Sequence, residues 1–434
     1  MTRGESLQAM DPSAGRTSAH PDSWHMTRLG EIASLRKGTV LPGGHSGLRY
    51  VGLEHMDGGK PRLARWGYGT EVHSAKTPFQ PGDVLYGKLR PYLDKGALAE
   101  WAGMCSTDIL VLEANQTIAP QFLVFALHSD EFLGYAISTT TGVNHPRTSW
   151  KALSRYAFPL PPLPEQRAIA RVLQTVQEAI EATERVIEAA KELKRSMMEY
   201  LFTYGPVPVN RADQVQRTES AIGVFPSHWE ASACGLLCER ITVGVVVRPA
   251  SYYVENGIPA FRSLNIKADR LNTEELVFFS ENDNEGPLAK SRLQENDVLI
   301  VRTGEPGTAC VVPSCYSGSN CIDLVIARPR QDVVRSLYLG LYLNSSRGKN
   351  QAASSETGLA QKHLNVGAVK RLRVMLPDLA DQDRIVSIAR SIDSQIAAGR
   401  KRALALEAAF SSLLHNLMTG KVRITPTEQD MEGV

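Results

Sequence analysis

Residues able to contact a polyanion recur in two separated stretches of the chain. In the first, Arg36-Lys37-Gly38, Lys88-Leu89-Arg90-Pro91-Tyr92 and Asn144-His145-Pro146-Arg147 set basic, amide and aromatic groups beside glycine or proline turns. In the second, Arg248-Pro249, Arg262-Ser263-Leu264-Asn265, Arg302-Thr303-Gly304 and Gln361-Lys362-His363 do the same. A guanidinium can bond bidentately to guanine, and an amide to adenine, from a loop entering the major groove. Lys and Arg also hold phosphates without reading sequence. Taken singly, each of these is an ordinary solvated loop residue. Their candidacy comes from position: Arg90 and Arg302 follow matching apolar runs, and Gly142 and Gly358 open matching polar loops.

Motifs for catalysis are missing. There is no G-x-x-x-x-G-K-[ST] phosphate loop and no G-x-G-x-x-G after a strand, so neither a nucleotide nor a methyl-donor site is expected. The proline run Pro159–Pro164 lacks the polar residue that an amino-methyltransferase places before it, and no carboxylate cluster with a nearby Lys resembles a nuclease centre. H-E-x-x-H and G-x-S-x-G are also absent. Cys234 and Cys238 form C-x3-C without a matching second pair, so ordinary reduced thiols are expected and no metal site.

The elements that must position these residues are duplicated. Leu160-Pro161-Pro162-Leu163-Pro164-Glu165-Gln166 recurs 216 positions later as Leu376-Pro377-Asp378-Leu379-Ala380-Asp381-Gln382, and Thr141-Gly142 recurs as Thr357-Gly358 at the same offset. Gly82-Asp83-Val84-Leu85 recurs as Asn296-Asp297-Val298-Leu299, and Pro21-x-x-Trp24 as Pro226-x-x-Trp229. Matches in one order at nearly one offset indicate a module of about 210 residues present twice. Short apolar runs (49–53, 84–89, 109–112, 298–301, 322–327) read as strands, and Pro120–His128 and Leu337–Asn344 as short helices.

Each copy ends in a long helical pattern, 165–203 and 381–419, about 58 Å long at about 1.5 Å per residue. In the first helix, Ile169, Val172, Val176, Ala179, Thr183, Val186, Ala190, Leu193, Met197 and Tyr200 alternate spacings of three and four, a heptad seam flanked by Leu173, Ile180, Ile187 and Leu201. The second carries Ile385, Ile388, Ile392, Ile396, Ala403, Leu406, Phe410, Leu413 and Leu417. Helices this long exceed what one small domain covers, so they are expected to pair as an antiparallel coiled coil. Thr183 and Gly399, at equivalent positions, would permit close approach there.

The fold expected is α+β: two similar globular domains joined by two long helices with pseudo-twofold internal duplication. The boundaries expected are a flexible extension 1–22, domains 23–162 and 227–378, helices 163–205 and 379–420, a linker 206–226 and a tail 421–434. Met26 offers an alternative start. The 434 residues hold 48 Lys+Arg against 46 Asp+Glu, a net charge of +2, with 43% hydrophobic residues. That balance excludes a globally disordered chain and a simple polyanion coat, but not a reader with basic groups on one face. No stretch reaches the roughly 20 apolar residues of a membrane span, and residues 1–22 lack the apolar core of a secretory signal, so a cytoplasmic location is expected.

The combination resembles the DNA-specificity subunit of type I restriction–modification systems. Leu160-Pro161-Pro162-Leu163-Pro164-Glu165-Gln166-Arg167-x-Ile169 is similar to the opening of that family's conserved helix, and Leu376-Pro377-x-Leu379-x-Asp381-Gln382-x-Arg384-Ile385 repeats it with Asp for Glu. Trp24…Leu29-Gly30-Glu31-Ile32 resembles the start of a target-recognition domain, and Asp83–Lys95 its middle. Copy two departs by having Arg302-Thr303-Gly304 in place of the Arg-Pro-Tyr run. The resemblance spans about residues 23–423 and implies a non-catalytic subunit in which each domain reads one half of a split, asymmetric DNA target. The helices would set the gap and dock methyltransferase subunits, two of them, through Glu165, Gln166, Ile169, Val176, Val186, Leu193, Met197, Gln382, Ile385, Ile392, Leu406 and Leu413. It implies no cofactor on this chain; S-adenosylmethionine, ATP and Mg2+ would belong to the methyltransferase and the helicase–nuclease restriction subunits. The alternative is a coiled-coil protein-interaction scaffold without DNA specificity.

Overall fold

The computed structural model of the chain describes residues 21, 23–42, 47–354 and 363–431. The extension expected over 1–22 therefore lies almost wholly outside the described residues. The chain divides into two compact units, one built from residues up to Thr183 and from Lys401 onward, the other from Glu184–Arg400.

The same plan is drawn in each unit. In the first, strands Ala33–Leu35, Ile109–Ala114, Val84–Gly87 and Gly96–Leu98 form an antiparallel sheet in that spatial order. In the second, Cys238–Val243, Leu324–Pro329, Val298–Val301 and Ala309–Val311 repeat it. The central strands, VLYG and VLIV, are buried along their whole length, which is why they read as unbroken apolar runs. A strand pair closes each domain onto its long helix: His25–Arg28 with Ala157–Leu160, and Glu230–Ala233 with Arg373–Leu376.

The outer sheets diverge. Arg49–Val51 runs parallel to Gly103–Cys105 in the first domain, and Ile258–Phe261 parallel to Asn320–Cys321 in the second. The additional strands attach differently: Thr77–Phe79 pairs beside Gly103–Cys105, whereas Val277–Phe279 pairs beside Ile258–Phe261. The stretch expected as a linker, 206–226, is ordered into a turn at Val209–Gln214 and a hairpin, Arg217–Ser220 with Gly223–Pro226, and its Phe225 enters the second unit's core.

The long helices run over Leu163–Tyr204 and Leu379–Met418, within two residues of their expected ends. In the first unit, Ile169, Ala170 and Leu173 share a core with Leu414, Leu417 and Met418. In the second, Met198, Leu201 and Phe202 share one with Ile385, Val386 and Ala389. The start of one helix thus meets the end of the other in each unit, as in an antiparallel pair.

In the first helix the seam departs from the expected one in its second series, whereas every residue expected on the stripe of the second helix is buried or half-buried. The series Ile169, Val176, Thr183, Ala190, Met197 lies inward or half inward, and so does its counterpart Ile385, Ile392, Gly399, Leu406, Leu413. The second series of the seam is Gln166, Leu173, Ile180, Ile187, Lys194, Leu201; of the expected series, Val172, Ala179 and Tyr200 are half-buried and Val186 and Leu193 are exposed. Its counterpart is Gln382, Ala389, Ile396, Ala403, Phe410, Leu417. Ile187 is 8% exposed and its neighbour Val186 is 65% exposed. Both flanks of the Ile169 series carry apolar residues, so the helix alone offers two stripes; packing against the partner helix and the domain selects one. Gly399 abuts Ile187: a Cβ added there would stand 2.8 Å from Ile187 Cγ1.

Each domain is also tied to its helices by a contact at equivalent positions, with the carboxylate on the domain in the first unit and on the helix in the second. Glu131 faces His415 at 3.3 Å in the first unit, and at positions 216 further on or back Arg347 faces Glu199 at 3.1 Å in the second. Asp269 and Asp393 both accept from Lys194, at 2.6 and 2.8 Å. Burial works against that charge, but the carboxylates outweigh it and hold the ammonium pKa above its ordinary value.

Candidate nucleic-acid interface

In the first domain a strained turn and a tight loop come together at the end of the strand Val84–Gly87. The Lys88 amide donates to the Asp108 carbonyl at 2.9 Å, and the Thr148 amide donates to the Lys88 carbonyl at 3.0 Å. Arg90 adopts a left-handed conformation, φ 53°, and its amide donates to the Pro146 carbonyl at 2.7 Å. Pro91, with its fixed φ, then opens the short turn Pro91–Leu93, and Asp94 closes it at φ 48°. Left-handed backbone costs a non-glycine residue about 1–2 kcal/mol, so the surroundings must hold Arg90 in place.

Those surroundings are the loop after Thr141. Thr141 and Arg147 exchange backbone hydrogen bonds at 2.9 and 3.0 Å, with Gly142 turning at φ 93°. Val143, Asn144 and His145 are left at the exposed tip, Val143 being 98% exposed. The fold therefore gathers Lys88, Arg90, Tyr92, Asn144, His145 and Arg147 along one edge, with Arg90 and Tyr92 exposed. Arg147 also pairs with Asp108, Nε to Oδ1 at 3.1 Å.

Arg36 is placed elsewhere. Its guanidinium forks onto buried Asp83 at 2.5 and 2.8 Å and reaches Glu113 at 2.9 Å, so its donors are spent inside the domain. The bond to Asp83 raises its pKa. Lys37 beside it is exposed.

The second domain rebuilds the same corner with different chemistry. The Leu364 amide donates to the Arg302 carbonyl at 3.0 Å, as Thr148 does to Lys88. Arg302 is therefore the counterpart of Lys88 rather than of Arg90. By the same register Asp323 replaces Asp108 and His363 replaces Arg147. The Arg302 guanidinium bonds Asp323 and His363, and Thr303 Oγ1 lies 3.2 Å from His363 Nδ1. In this copy the acid is paired by the strand-end arginine; in the first it is paired by the loop arginine. Gln361 and Lys362 lie outside the described residues.

Two other expected contacts are internal. Asn265 is fully buried, accepting from the Arg262 amide at 2.9 Å and donating to the Asn272 and Glu274 carbonyls at 3.1 and 2.8 Å. Arg262 donates to the Glu275 carbonyl at 2.5 Å. Arg248 is different: it is exposed, left-handed at φ 44°, and followed by Pro249 opening a turn to Tyr252, with Val246 and Val247 exposed before it. Each domain thus presents an exposed left-handed Arg-Pro, but on different elements. Sequence reasoning passed over Val143, Val246 and Val247, whose signal is an apolar residue in an otherwise polar or glycine-bounded loop.

The helix residues fall into two groups. Glu165, Gln166, Ile169, Gln382, Ile385 and Ile392 are buried; Val176, Met197, Leu406 and Leu413 are half-buried. Glu165 accepts from the Trp24 indole at 3.0 Å and from Arg423 at 2.5 and 2.7 Å. Trp24 lies in the first unit's core, so a chain begun at Met26 would lose that anchor. Gln166 accepts from the Ala119 amide at 2.9 Å and donates to the Thr117 and Pro161 carbonyls at 3.0 and 2.9 Å. Gln382 accepts from the Arg335 amide at 2.8 Å and donates to the Val333 and Pro377 carbonyls at 3.1 and 2.9 Å. Val186 and Leu193 are exposed.

Among the described residues no group of three or more His, Cys, Asp and Glu side chains could hold a metal ion. Five of the six cysteines are buried, and burial pushes the Cys105 and Cys310 thiols up to about 12. Among the described residues no helix is long and apolar enough to cross a membrane.

Residues 21–192 and 245–408 match the type I restriction modification DNA specificity domain, which is thus present twice. The chain is similar to a putative type I restriction enzyme specificity subunit (MjaX) of Methanocaldococcus jannaschii, 24% identical over 93% of this chain and 95% of that one. It is also similar to the MjaVIII specificity subunit of the same organism, 24% identical over 79% of this chain and 77% of that one. In fold it is similar to a solved type I restriction–modification S subunit from M. genitalium, at TM-score 0.58 and 15% identity over 96% of this chain and all of that one. A chain solved in a study of complex assembly and conformational transition of the type I system aligns at TM-score 0.56 and 22% identity, covering 93% of this chain and 99% of that one.

Proposed function

The chain belongs to the type I restriction–modification DNA specificity family, and we propose that it reads a split, asymmetric DNA target, one half through each domain. The family assignment removes the scaffold alternative. The observation that carries the two-half reading is conservation of framework with divergence of edge inside one chain. The two domains share their central sheet and their buried glutamine anchors, yet the corner Lys88–Asp108–Arg147 in one is Arg302–Asp323–His363 in the other. Among the described residues the exposed groups also differ: Arg90, Tyr92 and the loop 143–145 against Arg248 and Val246–Val247. Different groups on one scaffold read different bases.

Methyl transfer, with S-adenosylmethionine, and ATP- and Mg2+-dependent translocation and cleavage are assigned to partner subunits. Two methyltransferase subunits would dock on the long helices, with Val186 and Leu193 the exposed apolar positions of the first helix available to them. A net charge of only +2 suits a subunit that discriminates bases while its partners hold much of the phosphate backbone. A cytoplasmic location follows from access to the chromosome.

The test is co-expression with the cognate methyltransferase followed by mapping of modified bases in host DNA. A bipartite motif with two unlike halves is expected. A continuous motif, or no modification that depends on this chain, would overturn the reading.

A further inference from the structure

One imidazole supports the turn that carries Arg90 and Tyr92. His128 is buried, with Nδ1 2.9 Å from Asp94 Oδ1 and Nε2 3.1 Å from the Gly96 carbonyl oxygen. Asp94 is the residue that closes the turn. Both ring nitrogens therefore face acceptors. A neutral imidazole has one N–H and can donate to only one of them; the doubly protonated ring donates to both.

Other titratable groups on the surrounding elements make bonds of their own or lie apart. Lys95 turns away to donate to the Leu53 carbonyl at 2.6 Å, and Tyr135 donates to the Ala152 carbonyl at 3.0 Å. Glu131 faces His415, and Asp130 is exposed. The Tyr86 hydroxyl, on the adjacent strand, is buried without a hydrogen-bond partner, and its proton is held tightly by burial and by the Asp94 charge.

In the second domain the same position, 216 residues on, is Asn344. Its amide donates to the Ala309 carbonyl at 2.8 Å and to Asp269 at 2.7 Å, while its oxygen accepts from the Ala309 amide at 2.9 Å. Ala309 holds the sheet register of Gly96, the first pairing with Ile300 and the second with Tyr86. A carboxamide with no proton to lose thus makes the bridge, from sheet edge to carboxylate, that the imidazole makes in the first domain.

We propose that His128 is a positioning residue that makes reading by the first domain pH-dependent, the protonated ring locking the Arg90–Asp94 turn, while Asn344 makes the matching bridge of the second domain without an imidazole. Both bonds exist only with the second proton in place. The lock is therefore complete while the ring is doubly protonated and loses one of its two bonds when the second proton leaves. The consequence for DNA rests on the reading of Arg90 and Tyr92 as DNA contacts; the lock itself does not.

The experiment measures amide hydrogen exchange of the full chain between pH 5.5 and 8, corrected for intrinsic rates. Protection over residues 88–98 should fall by about fivefold across that interval, the worth of one net hydrogen bond, while residues 309–311, beside Asn344, stay level. His128→Asn, which installs the second domain's residue, and Asp94→Asn should both give a level profile. A level wild-type profile, or an unchanged slope in Asp94→Asn when His128→Asn does not fold, overturns the proposal. A second arm measures affinity of the assembled methyltransferase complex for a duplex carrying its mapped target. A matching fall in the wild type, abolished by His128→Asn, is expected. Exchange that follows pH without any DNA binding would leave the lock standing and remove the DNA-reading premise instead.

Discussion

Gln166 and Gln382, 216 positions apart, make the same three hydrogen bonds to counterpart backbone groups, each set within 0.1 Å of the other. Each buried carboxamide ties the first turn of a long helix to the loop leading into its domain's short helix and to the proline-marked segment before it. Amide geometry suits the task, since one group must both accept and donate twice. The pair shows the internal duplication at the level of atoms, where only a few side chains survive from one copy to the other.

Replacing either glutamine by Leu should strand one amide N–H and two carbonyls in a buried site. A loss of about 2–4 kcal/mol is expected, felt by the unit that carries the change. Calorimetric unfolding of Gln166→Leu and Gln382→Leu should lower different transitions. A change within about 0.5 kcal/mol for both would show that water replaces the lost bonds.

The seam makes a sharp contrast between neighbours. Ile187→Asp places a charge against Gly399 in the buried interface and should cost more than about 3 kcal/mol. Val186→Asp, on the exposed side, should stay within about 0.5 kcal/mol in the isolated chain. Thermal melting of both variants checks the register. The reverse order of effects would restore the stripe that includes Val186.

Arginines divide by where their donors go. Arg90→Ala should leave the melting temperature unchanged and weaken or relax reading at one half-site, by about 1–3 kcal/mol if a base is its target. Arg302→Ala removes a mostly buried side chain and its bond to the partly exposed Asp323, and should destabilise the second domain by about 1 kcal/mol before any effect on reading. Melting curves measured alongside modified-motif maps separate the two behaviours.

Acid should release the C-terminal segment early. Asp430 caps Thr427, accepting from its amide and hydroxyl at 2.7 and 2.8 Å, and pairs with Arg171 at 2.7 Å. Burial alone would raise its pKa, but these donors outweigh it and hold the carboxyl below its ordinary value. Because the folded value is the lower one, the contribution is present above an ordinary carboxyl pKa of about 3.9 and is lost as pH falls through the folded value. Acid-active protease should therefore cut residues 424–431 preferentially as pH falls below about 4, and Asp430→Asn should be cut readily at higher pH too.

Much of this organisation was written in local patterns. The repeat, the two long helices to within two residues of their ends, the buried central strands and the Ile169 and Ile385 series all follow from spacing that adjacent residues enforce. The loops that gather exposed basic and aromatic groups along one edge of the first domain were also marked, by Arg90-Pro91-Tyr92 and Gly142 through Arg147. What spacing could not choose was between equals. Two apolar stripes flank the Ile169 series, and only the partner helix determines which is covered. Nor can it tell an exposed arginine from one engaged inside the domain. Arg302 is committed because Asp323 and His363, 21 and 61 residues away, are folded against it, whereas Arg90 is lifted clear by a bond to Pro146. A side chain's type comes from the sequence; whether its charge is spent inside or offered outside depends on groups that only the tertiary structure brings within reach.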